Sequence, residues 1–294
     1  MSYSTLEQYD HHDEAMKILS NARKIIKGNI FSKILSDKEA RYNRAIDLYR
    51  VAANQFKITK RDKEAIVCLT EASEITNTNI FVELMQEIAK LYKKNNLNEK
   101  SIESYERIIP ILIKQGKFYN LGQIYNIICE LHTDIQKQIN SLKRAVEMYE
   151  CANNSGSLCN KLNIQLAELY SRNEEYKLAI ELFEQCAIYM IDQPLLKYNA
   201  KSIYLKSILC KLCYDDVNET RTLIEKYVNE FVPFCDSREC KLVKDIIDAY
   251  EKQNEKEFVD ILIDYDSISR LDDKLINHLL LNIKRNMITG KIIL

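Results

Sequence analysis

The sequence predicts an all-α fold of helix pairs stacked in a row, and three observations predict it. Gly (5) and Pro (3) are nearly absent from the 294 residues while Leu, Ile, Ala, Lys and Glu abound, so helix formers run on with few breakers. A small-ring-small spacing recurs along the chain. The segments between its copies are short, polar and rich in Asn, as helix-helix connections should be. No Pro/Gly linker marks a domain boundary, and 46% apolar residues suffice for one sizeable, continuous core.

From the amino terminus, Met1 to Asp13 is polar and acidic, unlike a signal peptide. No apolar run approaches the roughly 20 residues that span a bilayer. The expected location is therefore cytoplasmic, with at most peripheral contact to membranes. Ile30-Phe31 and Ile34-Leu35 form a compact apolar cluster flanked by Lys24, Lys27, Lys33 and Lys38. On sequence alone, Ile34 and Leu35 could staple the first helix to the stack.

The repeat begins with Ala45-Tyr49-Ala52 and continues as Ala65-Leu69-Ala72, a degraded Ser101-Tyr105-Ile108, Ala145-Tyr149-Ala152 and Ala179-Phe183-Cys186. From the second copy onward the starts lie 36, 44 and 34 residues apart, near the 34 of a tetratricopeptide (TPR) unit. The partner helices agree: Ala53 and Phe56, then Ile88, Ala89 and Tyr92, then Leu166, Ala167 and Tyr170. The Ala145 unit has His132 and Thr133 where Leu and a small residue would sit. Small residues let two helices approach closely, the ring fills the gap beside them, and each pair buries its open face on the next. Turns are expected at Lys60-Arg61-Asp62, Asn95-Asn96-Leu97-Asn98, Asn153-Asn154-Ser155-Gly156-Ser157 and Arg172-Asn173-Glu174.

After Pro194 the repeat fades. Residues 195–232, 236–254, 255–266 and 271–289 are expected as amphipathic helices, with Asp236 as an N-cap and Glu239 at the capping-box position. The predicted architecture is a right-handed TPR-like helical-hairpin solenoid over 1–194, capped by a continuous helical bundle over 195–294.

Several chemistries find no support. The 42 basic and 43 acidic residues nearly cancel, which argues against a nucleic-acid binder. Nine Cys, irregularly spaced on apolar faces, suit reduced thiols. Cys210 and Cys213 have CxxC spacing without a second pair or a redox context, and the His residues at 11, 12, 132 and 278 are scattered. Gly116-Lys117 lacks both the Ser or Thr and the earlier Gly of a phosphate loop. No enzyme, metal or cofactor is expected.

Pro194-Leu195-Leu196-Lys197-Tyr198-Asn199-Ala200-Lys201, Asp236-Ser237-Arg238-Glu239-Cys240-Lys241-Leu242 and Tyr265-Asp266-Ser267-Ile268-Ser269-Arg270-Leu271-Asp272 resemble, in that order, the soluble NSF attachment proteins of the α-SNAP family. Ala52-Ala53-Asn54-Gln55-Phe56-Lys57 and the repeat phase extend the resemblance over essentially the whole chain. It implies an adaptor that binds an assembled SNARE four-helix complex of syntaxin-type SNAREs. The adaptor then recruits and stimulates the hexameric ATPase NSF, which takes the SNAREs apart for another round of vesicle fusion.

The family's contacts fall on particular residues here. SNARE-binding positions correspond to Lys93, Lys94, Lys117, Lys161, Lys197 and Lys201, with Gln123 where a basic residue is common. NSF-facing positions correspond to Asp215, Asp248, Glu251 and the final Leu294, while Lys252 reverses one family charge and the acidic residues expected before Leu294 are missing. A membrane-touching loop corresponds to Ile30, Phe31, Ile34 and Leu35. Without the resemblance, periodicity alone leaves a generic TPR-like peptide-binding or chaperone-adaptor scaffold.

Overall fold

The structure, a computed structural model, describes residues 3–28, 37–153, 156–214 and 216–289, with side chains from residue 12 onward. Every regular element among them is helical. In chain order they are α1 (Tyr3–Lys27), α2 (Lys38–Ile58), α3 (Asp62–Ser73), α4 (Thr78–Lys94), α5 (Asn98–Glu106), α6 (Ile109–Lys114), α7 (Phe118–Leu131) and α8 (Ile135–Cys151). There follow α9 (Ser157–Arg172), α10 (Tyr176–Ile191), α11 (Ala200–Tyr214), α12 (Val217–Glu230), α13 (Arg238–Glu251), α14 (Glu255–Asp266) and α15 (Lys274–Thr289). Short 3-10 turns occupy Lys197–Asn199 and Val232–Phe234. None of the described helices is long and apolar enough to cross a membrane. Close packing groups the chain into two units, Met1–His132 and Thr133–Leu294. That partition follows packing, whereas the one expected at residue 194 follows the fading of the repeat.

The repeat positions form the core. Ala45, Ala52, Ala65, Leu69, Ala72, Ser101, Ala179 and Phe183 are fully buried, and Tyr49 and Tyr105 nearly so. In the first unit α2 packs on α3 and α4 on α5; in the second α9 packs on α10 and α10 on α11. Ser101 Oγ donates to the Ala89 carbonyl at 2.8 Å, a side chain of α5 reaching the backbone of α4. Such an approach needs small residues at both positions. The irregular Ala145 unit has a simple cause. Helix α8 starts ten residues before Ala145, whereas α3, α5 and α10 start three before Ala65, Ser101 and Ala179. Two extra turns of α8 lengthen that repeat to 44 residues and leave His132 and Thr133 in the connection between α7 and α8.

One turn geometry recurs. Lys60, Asn96, Gly116, Glu174 and Gln253 all have φ between 52° and 65°. At each, the next residue's N–H reaches five residues back: Arg61 to Phe56, Leu97 to Tyr92, Lys117 to Leu112, Glu175 to Tyr170, and Asn254 to Ala249. These bonds satisfy carbonyls that a helix end leaves open, and the following helix starts at once. The left-handed conformation suits Asn or Gly, as expected at Asn96, yet Lys60, Glu174 and Gln253 adopt it too because the hairpin requires it. Glu174→Gly is accordingly expected to raise stability by about 0.5–1 kcal/mol, read as a higher urea midpoint at unchanged slope.

The C-terminal part differs in detail from the expectation. The helix expected over 195–232 is broken into a 3-10 turn, α11 and α12. The N-cap of α13 is Ser237, whose hydroxyl accepts from Cys240 N–H at 3.1 Å, and not Asp236. The shift by one residue removes Glu239 from the capping-box position. Helix α11 is buried from Ile203 to Cys210 on every side, since it packs on α10, α12, α13 and α15. Tyr204 stacks on Tyr227 at 4.1 Å and meets Phe234 edge-on at 5.4 Å. Tyr227 completes its polar bonding with Ser207 at 2.7 Å and Glu184 at 2.9 Å.

Candidate functional site: a basic set and a clasped acidic pair

Lys93 and Lys94 end α4, whose C-terminal dipole favours cations. Both already have carboxylate partners. Lys93 pairs with Glu130 of α7 at 2.9 Å, and Lys94 pairs at 2.8 Å with Asp62, which is 8% exposed at the start of α3. Burial opposes ionisation of Asp62, but hydrogen bonds from Lys94 and Asn95 outweigh it and hold the carboxyl below its usual range. Lys94 is thus partly a structural residue.

Lys117, the residue after the Gly116 turn, and Lys161, early in α9, are exposed and make no ion pair among the described residues. They are the cations most available to an acidic partner. Lys197 and Lys201 are half-buried and stand over the Tyr198 ring, 5.0 and 5.7 Å from its centroid. Beside them Leu195 is 94% exposed and Tyr198 59% exposed. Sequence reading assigned the two Lys and passed over these apolar neighbours; a Leu pair immediately after Pro194, outside any repeat, was the signal. An ammonium held over an aromatic face with bare apolar surface alongside can meet an acidic and partly apolar partner.

Two of the acidic candidates, Asp248 and Glu251, lie on α13 of the second unit. Asp248 and Glu251 are one turn apart on α13, and Arg221 of α12 clasps both, at 2.9 and 2.8 Å. Those hydrogen bonds raise the Arg221 pKa further. Periodicity could show the i,i+3 pair but not the Arg that closes it. Lys252 bonds Glu257 at 2.8 Å, so the reversed charge is turned toward α14. Asp215, Leu294, Ile30, Phe31, Ile34 and Leu35 lie outside the described residues.

Cys210 bonds Ser171 at 3.1 Å, and burial pushes its thiol up to about 12. Cys213 lies 3.7 Å from the Leu279 carbonyl, and burial likewise raises its thiol. Both behave as core residues of α11. Among the described residues no three His, Cys, Asp or Glu side chains gather to hold a metal.

Comparisons with known proteins agree with the sequence motifs. The family model described as "Soluble NSF attachment protein, SNAP" matches residues 13–288. The Bos taurus protein named beta-soluble NSF attachment protein is 31% identical over 283 residues, covering 93% of this chain and 94% of its own. The Homo sapiens alpha-soluble NSF attachment protein is likewise 31% identical, covering 93% and 95%. Among solved structures, a signal-transduction ATPase of the STAND type with a tetratricopeptide repeat sensor, from Pyrococcus horikoshii, matches with TM-score 0.51 at 14% identity. It covers 94% of this chain and 46% of that one, and the likeness shows the stacked helical-hairpin fold alone.

Proposed function

This chain belongs to the soluble NSF attachment protein family, and from that premise we propose that it binds assembled SNARE complexes and recruits and stimulates an NSF-type ATPase for their disassembly in vesicle fusion. The family's members are attachment proteins, and the chain is not an enzyme. The observation that carries the reading is 31% identity spread over 93% of the chain, which supports carrying the family's adaptor role over to the chain as a whole.

For the SNARE complex, Lys117 and Lys161 supply charge without an ion pair among the described residues, Lys197 and Lys201 supply charge beside Tyr198 and Leu195, and Lys93 and Lys94 contribute charge already shared with Glu130 and Asp62. Exposed pairs are each worth only about 0–1 kcal/mol, so affinity must come from several acting together and be screened by salt. Binding to an assembled SNARE complex is expected to weaken at least about tenfold between roughly 0.05 and 0.3 M salt. A flat salt profile in fluorescence titration contradicts the basic set.

On the ATPase-facing side, Asp248 and Glu251 meet a basic domain only in competition with Arg221. Removing two exposed ion pairs frees roughly 1 kcal/mol of competing interaction. Arg221→Ala is therefore expected to tighten binding of an NSF-type amino-terminal domain about fivefold, and weaker binding would show that Arg221 itself contacts the partner. Asp215 and Leu294 complete this end in the proposal. The proposed membrane contact uses Ile30, Phe31, Ile34 and Leu35, since burying such side chains contributes about 1.5–3 kcal/mol each. Changing Ile30 and Phe31 to Ser should abolish co-sedimentation with anionic liposomes.

A further inference from the structure

The second unit contains a buried cation that neither partner face uses. Lys206, on α11, is 7% exposed. Its ammonium donates to Glu168 of α9 at 2.6 Å and pairs with Asp273 at 2.8 Å. Asp273 immediately precedes α15 and also caps it, accepting N–H bonds from Leu275 at 2.8 Å and Ile276 at 3.2 Å. One carboxylate therefore starts the last described helix and ties it to the middle of the unit. Ammonium and carboxylate stay charged together: desolvation works against Lys206, but its bonds to Asp273 and Glu168 win and raise its pKa. Desolvation likewise works against Asp273, whose bond with Lys206 holds its carboxyl below the usual range.

Helix α15 follows a non-helical segment and has few polar ties to the rest of the unit. The backbone from Ser267 to Asp273 is non-helical, so α15 joins α14 through a segment that can rotate without unwinding either helix. Its buried side chains, Leu275, Leu279, Leu280 and Ile283 among them, face a core whose main neighbour is α11. Two neutral polar ties also reach the unit's interior: Asn282 to the Tyr176 hydroxyl at 3.3 Å, and Asn286 to the Cys213 carbonyl at 3.0 Å. Among the described residues, Asp273 supplies the ion pair between the α15 end and α11, while Lys284 of α15 pairs at 3.8 Å with Glu255 of α14. Such an element, fastened to α11 at one point by charge and otherwise by apolar contact and single neutral bonds, is suited to local opening.

We propose that Lys206 is a latch that holds α15 shut over α11, and that α15 opens as a separate unit, uncovering Cys213, when the latch is broken. Cys213 reports this directly. Its Sγ lies 3.7 Å from the Leu279 carbonyl of α15, it is 6% exposed, and burial raises its thiol, so it reacts only from the opened form. Cys186, on α10, is 1% exposed and bonds the Asn160 carbonyl of α9, not a group of α15. It reports opening of the rest of the unit.

The test uses the full chain with the exposed Cys151 and Cys235 changed to Ser, pulsed with N-ethylmaleimide and read by peptide mass spectrometry. In Lys206→Met, two carboxylates are left facing each other without their shared cation. Cys213 labelling is expected to rise about 100-fold, equivalent to about 2.7 kcal/mol, with Cys186 within about twofold of its original rate. Asp273→Asn keeps the N-cap and leaves Lys206 with Glu168, and should give about a tenfold rise; it decides the matter if Lys206→Met does not fold. An unchanged Cys213 rate, or a parallel rise at Cys186, overturns the latch.

Discussion

Replacing Phe183 by Ala is expected to destabilise the Thr133–Leu294 unit by about 3–5 kcal/mol. The ring sits at the central position of the small-ring-small pattern on α10, is fully buried, and lies on a helix packed against both α9 and α11. Ala179 and Ala187, four residues either side on the same helix, are small and fully buried, so they cannot fill the void that the ring leaves. Phe183→Leu should cost under about 1.5 kcal/mol because it keeps most of the volume. Leu178→Ala, at a position 43% exposed on the same helix, should stay within about 0.5 kcal/mol. Urea unfolding of the three variants measures the contrast, and equal losses at 178 and 183 would remove the periodicity argument.

Reversing Lys117 and Lys161 together to Glu is expected to lower affinity for an assembled SNARE complex by about 100-fold at low salt. Each reversal removes one attraction and adds one repulsion, and these four changes at somewhat under 1 kcal/mol apiece amount to about 2.7 kcal/mol. The fold should be unaffected, since neither residue makes an ion pair among the described residues. Reversal of Lys94 is a poorer experiment. It would set a carboxylate against Asp62, which is only 8% exposed, and so confound binding with stability. Unchanged affinity in the double variant, measured by fluorescence anisotropy, would dismiss this basic set.

Acidity should act on the latch in a definite direction. Asp273 titrates below its unfolded value, so the stability it supplies is present above about pH 4 and lost as pH falls through the folded value. Lys206 has a raised pKa, so its contribution persists up to about pH 10 and is lost only as pH rises past the folded value. The pair therefore holds across the neutral range. Asp273→Asn should flatten the acid limb of a stability profile, and an unchanged limb would show that other carboxylates dominate it.

Fold and site were legible to different depths. The Ala-ring-Ala spacing revealed the stacked pairs because it records how closely two helices approach, a local property of sequence. The extra turns of α8 hid the partner helix of the Ala145 unit, since its signature had moved away from the expected offset. Left-handed residues at Glu174 and Gln253 could not be foreseen, because hairpin closure overrides their own preference. Asp236 and Ser237 are both good caps by residue type, and the structure uses Ser237. The site residues were placed by resemblance, but their state depends on partners far away in sequence. Glu130 beside Lys93, Asp62 beside Lys94 and Arg221 across Asp248 and Glu251 join helices through pairings that no local pattern encodes.

The central claim is that one chain carries both a SNARE-binding face and an ATPase-recruiting end. Its most direct test is retention of an NSF-type ATPase on immobilised SNARE complex, with and without this protein, in non-hydrolysable ATP analogue. The account predicts that the ATPase is retained only when both this protein and the SNARE complex are present, and is released once hydrolysable ATP is supplied. Retention that is indifferent to this protein, or none under any condition, contradicts it.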